Sequence, residues 1–199
     1  MKKISLLLCC VCMLCACTLN NNGTAANGTI PEDSLVQKYE NDYFSVMYPQ
    51  NWTAQWKDND PGSVEVANLL DSLGKKGGSV ELWSPDKRLG VRLVKSSYAW
   101  VYPEGTPKDW CELSSVQRMN EENCIGMSDV TDSLTIAGYP AAGIDFACVN
   151  GADTTVQTLF AIVPKPEELY YATIMFPIDD EKAFDLGLKM LQTLQLKVK

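Results

Sequence analysis

Apolar and polar positions in this chain alternate with a period of two over several short runs, and with a helical period over only a few. Phe44, Val46 and Tyr48 alternate with Tyr43, Ser45 and Met47 and stop at Pro49, which predicts a strand with one buried face. Residues 52–56 predict a second short strand. Pro61-Gly62-Ser63 then opens a helix with Val66, Leu69, Leu70 and Leu73 on one face and Gly74 near its end. Residues 80–83 and 90–95 read as a strand pair joined by a turn at Ser84-Pro85-Asp86. Thr106 offers a capping hydroxyl, and Pro107 suits the first helical position because no amide hydrogen is needed there. The helix they open runs to about residue 120 and is expected to pack Trp110, Leu113 and Val116.

The second half is mostly sheet, with strands predicted at 133–136, 141–149, 154–163 and 169–176. Asn150-Gly151 supplies the left-handed backbone that a hairpin needs between the second and third of these. Asp179 and Asp180 cap a closing helix whose apolar stripe is Phe184, Leu188, Leu191 and Leu194. Strand follows strand with helices interposed only occasionally. That order predicts an α+β fold in which helices pack on an antiparallel sheet, not a parallel βαβ repeat.

The N-terminus has a different texture. Lys2 and Lys3 precede an apolar run that ends in Leu14-Cys15-Ala16-Cys17 and is too short to span a bilayer. With small Ala16 at the cleavage point and Leu14 three residues before Cys17, the pattern resembles the bacterial lipoprotein signal. The resemblance implies a signal peptide over 1–16 and a diacylated Cys17 at the mature N-terminus, and more than one acyl chain makes anchoring lasting. Thr18 follows in place of the aspartate that retains such proteins at the inner membrane, and no acidic cluster of the kind linked to surface display comes after it. By that sorting rule the site is the outer membrane, facing the periplasm. Residues 17–38 are rich in Asn, Gly, Thr and Ala and read as a flexible tether, leaving 39–199 as one folded domain.

Composition narrows the partners. Without Lys2 and Lys3 the chain keeps 15 basic against 25 acidic residues, a net charge of −10. Such acidity opposes nucleic acid and anionic headgroups, so membrane contact rests on lipid alone. Cys111, Cys124 and Cys148 are the cysteines left beyond residue 17. Either Cys111 and Cys124 join across a short helix–loop segment, or all three stay free and buried. These three form no Cys-x-x-Cys, and the chain has no histidine anywhere, so neither a zinc site nor a cofactor is expected.

Three landmarks carry a family resemblance. The run Tyr43-Phe-Ser-Val-Met-Tyr-Pro-Gln-Asn-Trp52 is similar to the opening motif of PsbP-like domains, and Ile136-Ala-Gly-Tyr-Pro-Ala141 to their turn into the central hairpin. Leu169-Tyr-Tyr-Ala-Thr-Ile174, followed by a helix ending in Leu194-Gln-Leu196, resembles their closing strand and helix. The family includes an extrinsic photosystem II protein, a yeast import factor that binds a small GTPase, and many bacterial exported proteins. The resemblance implies an α/β/α sandwich around an antiparallel sheet and a role in binding or assembly. The metal-site histidines of photosystem members have no counterpart here.

Candidate chemistry is sparse. Ser84-Pro-Asp-Lys87 has the Ser-x-x-Lys spacing of penicillin-recognising enzymes, in which a lysine one helical turn away takes the serine proton. Its companion motifs are missing, so an exposed turn is the plainer reading and an envelope Ser/Lys hydrolase the alternative. Asp58-Asn-Asp-Pro-Gly62 lacks the later ligands of a calcium loop, and the basic run 74–78 lacks the order of a phosphate loop. Asp33-Ser34-Leu35, Asp71-Ser72-Leu73 and Asp132-Ser133-Leu134 look like the O-glycan acceptors of Bacteroidota, with Ser34 in the tether the reachable one. Trp83, Tyr98, Trp100 and Tyr102, with Trp110 behind them, form the candidate contact cluster, since rigid rings offer large contact at low entropy cost. The expectation is a non-catalytic binding or assembly module for an envelope protein or glycan, with a ligand-free spacer as a further alternative.

Overall fold

In the computed structural model, which describes residues 34–58, 77–97, 99–151 and 153–198, one antiparallel sheet presents two apolar faces, each packed against a helix. The strands are β1 (Leu35–Glu40), β2 (Phe44–Pro49), β3 (Thr53–Asp58), β4 (Gly78–Trp83), β5 (Gly90–Lys95), β6 (Cys124–Met127), β7 (Thr131–Ile136), β8 (Tyr139–Asn150), β9 (Asp153–Lys165), β10 (Glu168–Pro177) and β11 (Gln195–Leu196). Among the described residues the helices are α1 (Pro107–Arg118) and α2 (Glu181–Gln192), with a 3-10 turn at Ala99–Val101. The main sheet runs β3-β4-β5-β10-β9-β8-β6, β7 also pairs with β8, and β1-β2-β11 form a smaller sheet. The leader, Cys17, the tether to residue 33, the helix expected over 61–74 and Ser72 lie outside the described residues.

Directly opposed residues in antiparallel strands point to the same face. Val80, Leu93, Ala172 and Phe160 therefore form one row across four strands. That row belongs to the larger core, which α2 and β2 cover with Met190, Leu191, Phe44 and Val46. One residue along, the row Val94, Tyr171, Ala161 and Ala142 faces the other way, and its last three members pack with Trp110 and Cys111 of α1. The α+β expectation and its antiparallel sheet hold, with helices on opposite faces as in a sandwich.

Local chemistry sets the element ends. The Thr106 hydroxyl accepts from the Asp109 amide at 3.2 Å, and the Asp109 carboxylate accepts from the Thr106 amide at 2.8 Å, a reciprocal cap. The carboxylate of Asp180, and not that of Asp179, caps α2 by accepting from the Ala183 amide at 3.0 Å. Ala137 (φ 53°) and Gly138 (φ 82°) make the two-residue turn of the β7–β8 hairpin, both in left-handed backbone as a type I′ turn requires. At the far end the Thr193 hydroxyl donates to the Met190 carbonyl and accepts from the Met47 amide, while the Lys197 amide donates to the Tyr43 carbonyl. These bonds strap the end of the chain onto β2 and create β11.

Two expectations need correction. Leu35–Glu40 is strand β1, within the stretch read as tether to 38: Leu35 and Tyr39 reach the core while Gln37, Lys38 and Glu40 stay exposed on an edge strand. Leu113 and Val116 do not pack; they are 57% and 65% exposed. The inner side of α1 holds Trp110, Cys111, Ser114 and Arg118, because the helix backbone and the sheet beneath supply polar partners. The Ser114 hydroxyl donates to the Trp110 carbonyl at 2.8 Å, and Arg118 donates to Gln157 Oε1 at 2.6 Å. At about 100° per residue, Val116 then points directly away from the sheet.

Gly187 marks where α2 meets β10, since a Cβ there would lie 2.5 Å from Ile174 Cγ2. Gly187→Ala is expected to lower stability by about 1–3 kcal/mol through overpacking, although alanine is the better helix former. Thermal melting followed by circular dichroism checks this, and a rise in Tm would contradict the close approach.

Candidate functional site

Of the described aromatic residues read as one cluster, Trp83 lies apart from Tyr102 and Trp110. Trp83 pairs with Gly90 at the start of β5 and lies half-buried, its indole N–H donating to Glu81 at 3.5 Å. The chain runs five further residues along β5, about 17 Å at strand rise, before it reaches the 3-10 turn. Tyr102, half-exposed, stacks at a tilt on the buried indole of Trp110 with centroids 5.9 Å apart. Gly105 makes room for this pair: a Cβ there would meet Trp110 Nε1 at 2.6 Å. Tyr98 and the side chain of Trp100 lie outside the described residues.

Ser84 and Lys87 are not on a helix. They close a turn in which the Lys87 amide donates to the Ser84 carbonyl at 2.9 Å and Lys87 takes φ 60°. The Ser84 hydroxyl donates to Asp86 Oδ1 at 2.6 Å and accepts from the Leu89 amide at 3.0 Å. That hydroxyl, helped by the Arg88 amide, holds the Asp86 carboxyl below its ordinary range. The serine is a turn-closing group held by a carboxylate, without the stacked lysine that the hydrolase reading needs. Ser133, expected to be out of reach, is exposed on β7 at φ 62°, its amide donating to Asp132 Oδ1 at 2.6 Å.

A cleft of about 610 Å³ lies between Met47, the 137–139 turn and residues 192–196. Two of its polar side chains are already engaged: Thr193 straps β2, and Gln195 Oε1 accepts from the Ser45 hydroxyl at 3.4 Å.

The outer side of α1 is different. Of the nine exposed large apolar side chains among the described residues, seven fall between 101 and 127: Val101, Tyr102, Leu113, Val116, Met119, Ile125 and Met127. Leu113, Val116 and Met119 follow at three-residue spacing, so they neighbour one another along the helix surface. Met119 Sδ lies 4.0 Å from Cys124 Sγ, which joins the end of that ridge to β6. A bulge between Cys124 and Gly126 frees Ile125 from the ladder. Concentrated apolar exposure of this kind marks a contact surface more often than scattered single residues do. Leu113 and Val116 were visible in the sequence but assigned to the core; Met119, Ile125 and Met127 carried no signal, because β6 follows a helix with no alternating run.

These positions belong to a fold with solved relatives. No family model and no curated protein matches the chain. PsbP (CyanoP) of Synechocystis sp. PCC 6803 is similar at a TM-score of 0.50 and 13% identity, over 87% of this chain and 98% of that one. The fold is PsbP-like. A protein of Bacteroides thetaiotaomicron VPI-5482 is similar at a TM-score of 0.51 and 13% identity over 83% of this chain, which spans 50% of that protein. At these identities the PsbP likeness extends to the fold and transfers no site residue.

The inner side of α1 has its own electrostatic signature. Burial pushes the Cys111 thiol from 9.0 up to about 11 and the Tyr171 hydroxyl from 10.0 up to about 12. Both are held neutral in the fold, so the stability they contribute is full below about pH 9 and is lost as pH rises through 11 to 12. Melting at a series of pH values is expected to show Tm falling above pH 9, with a shallower fall in Cys111→Ala. A flat profile to pH 12 would contradict this burial.

Proposed function

We propose that this chain is a membrane-anchored envelope lipoprotein whose PsbP-like domain binds a partner protein and does no catalysis. Cleavage before Cys17 and acylation of its thiol tether the domain to the outer membrane on the periplasmic side. The supporting observation is the gathering of exposed apolar side chains on α1 and β6, on a domain whose overall charge is acidic. Burying such side chains contributes roughly 1.5–3 kcal/mol each when complete, so a partner covering Leu113, Val116 and Met119 gains enough for specific capture. Tyr102, on the Trp110 indole at the start of the same helix, extends the surface toward the segment first singled out for contact.

The test is crosslinking in intact cells followed by mass spectrometry. A Leu113→Glu, Val116→Glu double variant is expected to keep its melting temperature, since both side chains are exposed, and to lose the crosslinked partner. Capture unaffected by the double variant would defeat the surface assignment, and a wild-type chain that captures nothing would favour a ligand-free spacer. Cys17→Ser is expected to abolish incorporation of labelled palmitate and to release the protein into the soluble fraction. Retention of the label in that variant would defeat the anchor assignment.

A further inference from the structure

β6 joins the main sheet at its outer edge, and the register sets Cys124 opposite Cys148 on β8. The Val149 amide donates to the Asn123 carbonyl at 2.8 Å, a bond that flanks the cysteine pair instead of linking it. Cys124 and Cys148 thus occupy a non-hydrogen-bonded site, where opposed Cα atoms approach to about 4.5 Å and side chains share a face. A pair at such a site has a strand spacing within the roughly 4.4–6.8 Å that a disulfide spans. Cys111, the partner expected for Cys124, is fully buried on the inner side of α1, with its thiol against the backbone of Ala161. All three cysteines are free thiols in the structure.

We propose that Cys124 and Cys148 are a redox-modification site: a cross-strand disulfide that clamps β6 to β8, leaving Cys111 as the spare thiol. The oxidant is a protein or small-molecule disulfide of an export compartment. Cys124, the half-buried member, loses its proton and attacks that disulfide, forming a mixed disulfide and releasing one oxidant thiol. The Cys148 thiolate then attacks Cys124 Sγ and releases the second oxidant thiol. Two cysteine thiols give up two protons and two electrons, and one oxidant disulfide becomes two thiols. Formation in the cell rests on the export reading above; the geometry does not.

The test therefore uses the purified full-length chain in buffers of defined oxidised and reduced glutathione, at the poise of an oxidising compartment. Free thiols are alkylated under denaturing conditions and peptides are identified by mass. Cleavage at acidic residues is required, because residues 119–165 contain no Lys or Arg before Lys165 and trypsin would leave both cysteines on one peptide. The expected result is a linked pair of peptides carrying Cys124 and Cys148, with Cys111 alkylated. Reduction should lower the wild-type Tm by about 6–12 °C and leave Cys124→Ala unmoved. Three alkylated cysteines, a bridge that includes Cys111, or an undiminished reduction effect in Cys124→Ala would each overturn the proposal.

Discussion

β8, β9 and β10 pair antiparallel along most of their length, and a slip of one residue in that ladder would exchange the two faces of the sheet. Ile162, Phe160 and Ile174 would then meet α1, while Ala161, Ala142 and Ile144 would meet α2. Neither helix could accept the exchange. Gly187 of α2 is shaped to Ile174, and Trp110 of α1 fits over a floor that is small at Ala142 and Ala161. The ladder therefore decides which helix covers which face, and so which side of α1 is left outward.

The two layers do different work. On one face α2, β2 and β11 are tied together by Thr193, Gln195 and Lys197, and the first two also line the neighbouring cleft. On the other face α1 is held by a buried indole, a buried thiol and a polar contact from Arg118 to Gln157. Its outer side carries apolar residues that contribute nothing to the described core. A helix packed on one side and apolar on the other differs from a simple surface helix, whose outer side is polar.

Much of the fold was legible because its signals are local. Phe44, Val46 and Tyr48 announce a buried strand by alternation, Thr106 and Asp109 announce a helix by capping chemistry, and Ala137-Gly138 sits where a hairpin must reverse. What stayed hidden depends on neighbours far away in the chain. β1 shows only Leu35 and Tyr39 to the core, and β11 exists because Thr193 and Lys197 strap it to β2. The inner side of α1 was misread because Arg118 looks like a surface residue until Gln157 is beneath it. Trp83 and Tyr102 looked like neighbours because sequence proximity hides the length of β5. The facing of Cys124 and Cys148 was beyond reach for the same reason, since it is a property of strand register and not of loop length.

The two edges of the main sheet also differ, and the difference bears on where a partner sits. β3 carries Thr53, Gln55 and Lys57 in exposed positions, with Lys57 bonded to Glu81 at 3.1 Å, so that edge is dressed with charge and polar side chains. Charge on an edge strand opposes further pairing. β6 is only four residues long, bulged, and carries exposed Ile125 and Met127 beside the end of α1. Short length and a bulge limit its use as a template for indiscriminate strand addition. Its apolar side chains instead extend the surface that Leu113, Val116 and Met119 begin. An apolar helix ridge next to a blunted edge favours recognition through side chains over recognition through backbone pairing. The position of β6 against β8 is then what keeps the two parts of that surface aligned.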